Sequence, residues 1–343
     1  MTSISTYGFI NAKVRAMRSF LLTDAIYRAM AAAEGLQEVF SILSQTHLRG
    51  VVEHATAQEP EKVEQALLRE EIQRIQSVQK KSHKRIVRLV TSYLERYDGE
   101  RLKVLLRYWH RKSEKEVPII RERIVYDLPI DAIVMAESLG EIITLLEGTP
   151  FQDVLARVAA EYQQTRTLFP LELAIDRLVF DRLWRTTGDL STKDKSIARR
   201  LLGIEIDLRN LDWIGRLKAY YDLPSAEIGD RTLPHGYRIK AEDIRRIATE
   251  GNVLQALIKV ASGSHFSGSL PSESESDLKD LEHLLYQILI IEARKVFGEF
   301  PFSIGSILGY FTLLRIETRN VRTLYQAKRY GLPSQRIESL LVM

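Results

Sequence analysis

Two stretches of this chain repeat one another 110 residues apart. Residues 206–220 read IDLRNLDWIGRLKAY and residues 316–330 read IETRNVRTLYQAKRY. Aligned without a gap, they share Ile206/Ile316, Arg209/Arg319, Asn210/Asn320, Lys218/Lys328 and Tyr220/Tyr330. Asp207/Glu317, Leu211/Val321 and Ile214/Leu324 agree in kind. Each copy runs into Leu-Pro, at Leu223-Pro224 and Leu332-Pro333, and proline cannot continue a helix. A fainter third copy is YDGERLKVLLRYWHRK at 97–112, in which Asp98, Leu102 and Leu105 fit and Arg101 takes the place of the asparagine.

A second element recurs out of phase with the first. Val39, Ile42, Leu43, Thr46, Leu48, Val51 and Val52 correspond, 103 residues on, to Ile142, Leu145, Leu146, Thr149, Phe151, Val154 and Leu155. A further 102 residues on stand Ile244, Ile247, Ala248, Gly251, Val253, Ala256 and Leu257. The pattern predicts a short helix, a tight turn at the threonine or glycine, and a second helix. The chain order is then short hairpin, long helix, acid-x-x-Asn helix, three times over. Three copies of one helical unit make either an open solenoid or a closed pseudo-threefold body. The expectation is an all-α chain of three pseudo-repeated helical subdomains, 1–113, 114–225 and 226–343, in which residues 39–112, 142–223 and 244–333 superpose.

Helical periodicity supports the class. Val14, Met17, Leu21 and Ala25 recur at three- and four-residue steps and predict a helix from Ile4 to Glu34. Glu59-Pro60 opens another, which no glycine or proline interrupts before Arg96, about 57 Å of helix at ~1.5 Å per residue. Its seam is Leu68, Ile72, Ile75, Gln79, Ser82, Ile86, Leu89 and Tyr93. The basic run QKKSHKR at 79–85 reads as a solvated stretch of that long helix rather than as a phosphate-binding patch. ASGSHFSGSLPSESES at 261–276 reads as a surface loop, with Ser276-Asp277 starting the next helix.

Chemistry is excluded by what the sequence lacks. With no cysteine, disulfides, thiolate metal sites and cysteine nucleophiles are ruled out. No G-x-x-x-x-G-K-[ST], G-x-G-x-x-G or H-E-x-x-H spacing occurs, and seven scattered histidines, His265 in the serine-rich loop among them, form no metal set. The acids read as solvated, charge-alternating helix faces. A net charge of +4 with interleaved signs does not suggest nucleic acid. No leader is visible, and the longest apolar stretches, LLYQILII at 284–291 and the final LLVM, fall far short of the ~20 residues of a membrane span. No catalytic residue, cofactor, metal site or small-molecule substrate is expected.

Asn210 and Asn320 sit on apolar stripes, Ile206-Asn210-Ile214-Leu217 and Ile316-Asn320-Leu324-Ala327. Asparagine is poor in a helix interior, so each is expected to satisfy a neighbouring helix end within the same repeat rather than contact a partner protein.

YGFINAKVRAMRSFLL (7–22), YDGERLKVLLRYWHRK, IEIDLRNLDWIGRLKAYYDLP, LPHGYRIKAEDIRRIA (233–248) and FPFSIGSILGYFTLLRIETRNVRTLYQAKRYGLP (300–333) together resemble the C subunit of A/V-type ATPases, which is related to the d subunit of eukaryotic V-ATPases. The match covers nearly the whole chain in order. What the resemblance implies is a funnel of three similar helical subdomains, holding the foot of the central stalk and sitting on the ring of membrane rotor subunits. Such a protein binds no nucleotide, turns with the rotor, and lies peripherally on the cytoplasmic side of the membrane. The chain departs from the family pattern at Arg101 and in the longer 261–276 loop. Interface or repeat-motif candidates are Asp207, Arg209, Asn210, Lys218, Glu317, Arg319, Asn320 and Lys328. Two other readings are a helical scaffold for another elongated partner, and a nucleic-acid binder using Lys80, Lys81, Lys84 and Arg85.

Overall fold

The computed structural model describes residues 3–113, 117–221, 225–249 and 278–343, and every regular element among them is a helix. In chain order these are α1 (Ser3–Ser19), α2 (Asp24–Ala32), α3 (Leu36–Ser44), α4 (Arg49–His54), α5 (Pro60–Gln79), α6 (Lys84–Arg111), α7 (Ile130–Met135) and α8 (Leu139–Leu145). There follow α9 (Phe151–Thr165), α10 (Phe169–Thr186), α11 (Thr192–Tyr221), α12 (Ser225–Asp230), α13 (Ala241–Thr249), α14 (Leu278–Lys295), α15 (Gly305–Arg329) and α16 (Ser334–Leu340). The serine-rich loop 261–276 with His265, the Ser276-Asp277 helix start and the Gly251–Leu257 half of the third hairpin lie outside the described residues. The chain forms two compact units, Leu43–Leu190 and the discontinuous pair Met1–Ile42 with Ser191–Met343.

Two expected helices are broken, for reasons the breaker residues do not advertise. The 59–96 helix reverses at Lys80–His83, where Lys81 adopts a left-handed φ of 63° and the extended His83 caps α6. The segment between Val78 and Ile86 has no apolar side chain to bury, and reversal lets both of those residues become fully buried. Of the expected seam, Ile72 and Ile75 on α5 and Ile86, Leu89 and Tyr93 on α6 are buried and Leu68, Gln79 and Ser82 half-buried, in a hairpin bridged by Gln79 Nε2 donating to Thr91 Oγ1 at 2.9 Å. The 4–34 helix likewise stops at Ser19, and Thr23 restarts it by accepting from the Ile26 N–H.

The contiguous unit is built on α6 packed against α10. Leu102, Leu105 and Leu106 meet Phe151, Ile175 and Val179 in one buried cluster. Along the seam run three ion pairs, Glu95–Arg182 at 2.7 Å, Lys103–Asp176 at 2.8 Å and Arg107–Glu172 at 2.7 Å. The residue numbers fall on α10 as they rise on α6, so the helices are antiparallel. These acids correct the expectation of solvated faces: Glu95, Asp98 and Asp176 are buried, each with a charge or hydrogen-bond partner, as burial of a carboxylate requires.

In the same unit, the hairpin turns expected at Thr46 and Thr149 have one geometry. Thr46 Oγ1 donates to the Leu43 carbonyl at 2.8 Å and Thr149 Oγ1 to the Leu146 carbonyl at 2.7 Å, so each hydroxyl satisfies a carbonyl freed at a helix end.

The discontinuous unit packs α11, α14 and α15 together, with α1 against α15. A Cβ on Gly309 would come within 2.6 Å of Val296 and 2.8 Å of the Ala293 carbonyl, so glycine is what lets α15 approach α14 this closely. Tyr7 donates to Asp194 Oδ2 at 2.9 Å and the Ile304 N–H to Asp194 Oδ1 at 3.0 Å, fixing α1 and the start of α15 to α11.

Candidate functional site: acid and asparagine clamps on the long helices

The acids and asparagines singled out by the repeat do one recognisable thing: they hold the backbone of another segment against a long helix. Asn210 of α11 is fully buried. Its Nδ2 donates to the Leu233 carbonyl at 2.9 Å and its Oδ1 accepts from the Leu233 N–H at 2.7 Å. Asn320 of α15 does the same for Val342, donating at 2.7 Å and accepting at 3.0 Å. In each case the clamped residue lies just past the next short helix, α12 or α16. A side-chain amide carries an acceptor oxygen and a donor nitrogen side by side, so it can pair both polar groups of a single residue, which an ionised carboxylate cannot do.

One turn earlier on each helix stands an acid. Asp207 accepts from the Arg238 N–H at 2.7 Å and the Ile239 N–H at 3.3 Å. The loop comes this near because residue 236 is glycine: a Cβ there would lie 2.3 Å from Asp207 Oδ1. Burial pushes the Asp207 carboxyl up to about 7, against the pull of those backbone donors and of the Lys240 charge. Glu317 accepts from the Leu22 N–H, between α1 and α2. Tyr27 lies beside Glu317 and Asn320, and its phenol is pushed well above its ordinary range, by burial first and the Glu317 charge second. A cleft of about 470 Å³ opens there, with cations Arg18 and Arg294 facing acids Asp24 and Glu317.

The third acid is in the other unit. Asp98 of α6 accepts from the Val125 and Tyr126 N–H groups, both at 3.0 Å. Arg101, standing where α11 and α15 have asparagine, donates to Asp98 at 3.0 Å, and neither side chain is more than 3% exposed. Burial pushes the Asp98 carboxyl up and the Arg101 guanidinium down, and their mutual attraction offsets part of each shift.

The remaining candidates are cations. Arg209 is half-buried. Arg319 stacks over the Tyr286 ring, 4.3 Å from its centroid. Lys328 donates to the Ala33 carbonyl. The Lys218 side chain lies outside the described residues. Sequence reasoning missed the partners of the acids. The signal was available for Asp207 and Glu317, since each lies three residues before an asparagine already placed on an apolar stripe. The held segments 125–126 and 238–239 carried no signal.

A family model described as ATP synthase (C/AC39) subunit matches residues 10–340. The chain belongs to that family. The C/AC39 match spans α1 to α16 and so takes in all three acids and both asparagines. Among relatives, the C subunit of the A-type ATP synthase of Methanothermobacter thermautotrophicus is 26% identical over 98% of this chain and 87% of its own length. That of Haloferax volcanii is 26% identical over 100% and 99%, and that of Archaeoglobus fulgidus 24% over 99% and 97%. Among the described residues of this C/AC39 chain, no helix is long and apolar enough to cross a membrane.

Proposed function

We propose that this chain is the non-catalytic coupling component of a rotary ATP synthase or ATPase. It links central-stalk subunits to the membrane ring of proteolipid rotor subunits, turns with them, and transmits torque for proton or sodium transport. The observation that carries this reading is the family match across residues 10–340. Relatives named as the C subunit of A-type ATP synthases, aligned over almost the whole chain, support it. On this reading the protein is peripheral, on the cytoplasmic side of the membrane, with no cofactor, substrate or nucleic acid of its own.

The finer architecture belongs to the same proposal: three helical subdomains, 1–113, 114–225 and 226–343, around a funnel. The acids Asp98, Asp207 and Glu317, each on a long helix and each accepting from the backbone of another segment, support a threefold repeat of one unit. A part that transmits torque must not yield between its input and output surfaces. Buried clamps that tie loops to long helices serve that need, because a satisfied buried polar network fixes one arrangement. Asp207, Asn210, Glu317, Asn320 and Lys328 all bond the chain's own backbone, so the contact candidates that remain are Arg209, Lys218 and Arg319. Grip on two partners is then spread over many moderate contacts.

The test is coupled ion transport in vesicles carrying the complex without this one chain. The soluble head is expected to keep hydrolysing ATP while pumping is lost. Pumping at normal efficiency without the chain would overturn the reading.

A further inference from the structure

The reversal between α5 and α6 concentrates positive charge that the clamps and the coupling role leave unused. Between Glu71 and Glu95 the chain has no acid and six cations, Arg74, Lys80, Lys81, Lys84, Arg85 and Arg88. As one long helix these would be spread along its length. The break at Lys80–His83 gathers five of them at the tip of a hairpin. Lys80, Lys81, Lys84 and Arg85 are exposed. None of Lys80, Lys84 and Arg85 is in an ion pair among the described residues. Arg88 reaches Asp189 at 3.4 Å, with both side chains more than half exposed.

Local stability does not account for all of this charge. Lys80 and Lys81 follow the C-terminal end of α5, where cations are favourable. Lys84 and Arg85 occupy the first turn of α6, where the helix dipole disfavours them. Among the other long helices, α5, α9, α10 and α11 put an acid in that turn, Glu61, Asp153, Glu172 and Asp194, and α1 and α15 open with no charged residue there, so none of these six opens on two cations without an acid as α6 does. His83 caps α6 through Nδ1, which accepts from the Arg85 N–H at 3.4 Å, so the cap supplies no negative charge either. A local rule broken without local compensation marks a place kept for another purpose.

We propose that this tip is an electrostatic contact for an anionic lipid surface. The tip has no exposed aliphatic residue, since Val78 and Ile86 are fully buried and Val87 half-buried, and its one ring, His83, is half-buried and caps α6. It therefore lacks the apolar anchors that a protein interface is built on and the rings on which nucleic-acid bases stack. Three of its four exposed cations from Lys80 to Arg85 are lysines, point charges suited to a smeared negative surface rather than to forked recognition of one phosphate. Four to eight clustered cations at a membrane surface is the arrangement that binds anionic lipid. The inference leans on the proposed function only for a membrane being at hand. Its test uses the isolated chain, so its failure is distinguishable from loss of coupling in the complex.

The full chain is mixed with vesicles of phosphatidylcholine alone, or of phosphatidylcholine with phosphatidylglycerol, and bound protein is measured by flotation. Binding to the anionic vesicles only, weakening steeply as salt shortens the screening length, is expected. Each single change among Lys80→Gln, Lys81→Gln, Lys84→Gln and Arg85→Gln should cost about fivefold in vesicle affinity, and all four together on the order of a hundredfold or more. The same charge removed elsewhere on this unit, with Arg111→Gln, Lys112→Gln, Arg157→Gln and Arg166→Gln, should leave binding nearly intact. Lys80→Arg, Lys81→Arg and Lys84→Arg together should also preserve it. Equal binding to neutral vesicles, undiminished binding by the single and fourfold tip variants, or capture of duplex DNA or polyglutamate with no capture of anionic vesicles would each overturn the proposal.

Discussion

Asp98 on α6 and Asp207 on α11 hold backbone in the same way but are neutralised differently. Each takes two consecutive N–H groups of a loop that returns some 30 residues later. Three residues on, Asp98 has Arg101 and Asp207 has Asn210. In the first case the acid is paired with a buried cation and the loop is held by the acid alone. In the second the amide holds a stretch of backbone of its own, and the acid is left with hydrogen bonds and a more distant lysine, whose Nζ is engaged by the Gly236 and Tyr237 carbonyls. Burial pushes both carboxyls up, and position i+3 decides whether a buried cation opposes that push.

The sharpest way to break the comparison is to remove the acids. Asp98→Ala strands Arg101 as a buried unpaired cation and frees two N–H groups, so a loss of about 3–5 kcal/mol in denaturant unfolding is expected. Asp207→Ala strands no cation and should cost less, about 2–3 kcal/mol for its two orphaned donors. Equal losses would show that the Asp98–Arg101 pair adds nothing beyond the loop contacts. Next come the amides: Asn210→Ala and Asn320→Ala should each cost roughly 2 kcal/mol. Hydrogen exchange should speed at the Leu233 amide in one variant and at the Val342 amide in the other, with neither change crossing over.

The Asp207 clamp should also depend on pH. The folded Asp207 carboxyl lies at about 7 against an ordinary 3.8. The folded state thus binds the proton more tightly than the unfolded state. The stabilisation is full below pH ~4 and lost as pH rises through about 7. Between those limits Asp207 should contribute a decline of up to about 4 kcal/mol, and Asp207→Asn should flatten the melting profile over that window. An unchanged profile would mean that the backbone donors outweigh burial. Smallest of all, Arg88→Gln breaks only the exposed Arg88–Asp189 pair and should move stability by less than about 1 kcal/mol.

How much could be read in advance follows the same physics. The α5–α6 seam was legible because Ile72, Ile75, Ile86, Leu89 and Tyr93 keep helical spacing on both sides of the reversal. The reversal was not, because Lys81 enters the left-handed region without being glycine or asparagine. Asn210 and Asn320 were legible as polar residues on apolar stripes, and their need for backbone partners followed from that alone. The identity of those partners did not: Leu233 and Val342 are ordinary apolar residues, held by main-chain atoms that every residue has. Buried Glu95 and Asp176 were read as solvated because their partners, Arg182 and Lys103, lie on another helix 73–87 residues away.

The bond from the Leu22 N–H to Glu317 also bears on how the chain is made. With Lys328 donating to the Ala33 carbonyl, it stitches α1 and α2 to α15 across 295 residues of sequence. During synthesis the unit at 43–190 emerges whole and can collapse on its own contacts. The first 42 residues leave the ribosome earlier still, yet their partners on α15 are among the last to appear. At about 5–20 residues per second, a typical rate of elongation, α1 and α2 wait on the order of 15–60 seconds with the faces of Tyr27 and Met30 uncovered. A segment translated before the 43–190 unit is thus secured only after that unit is complete.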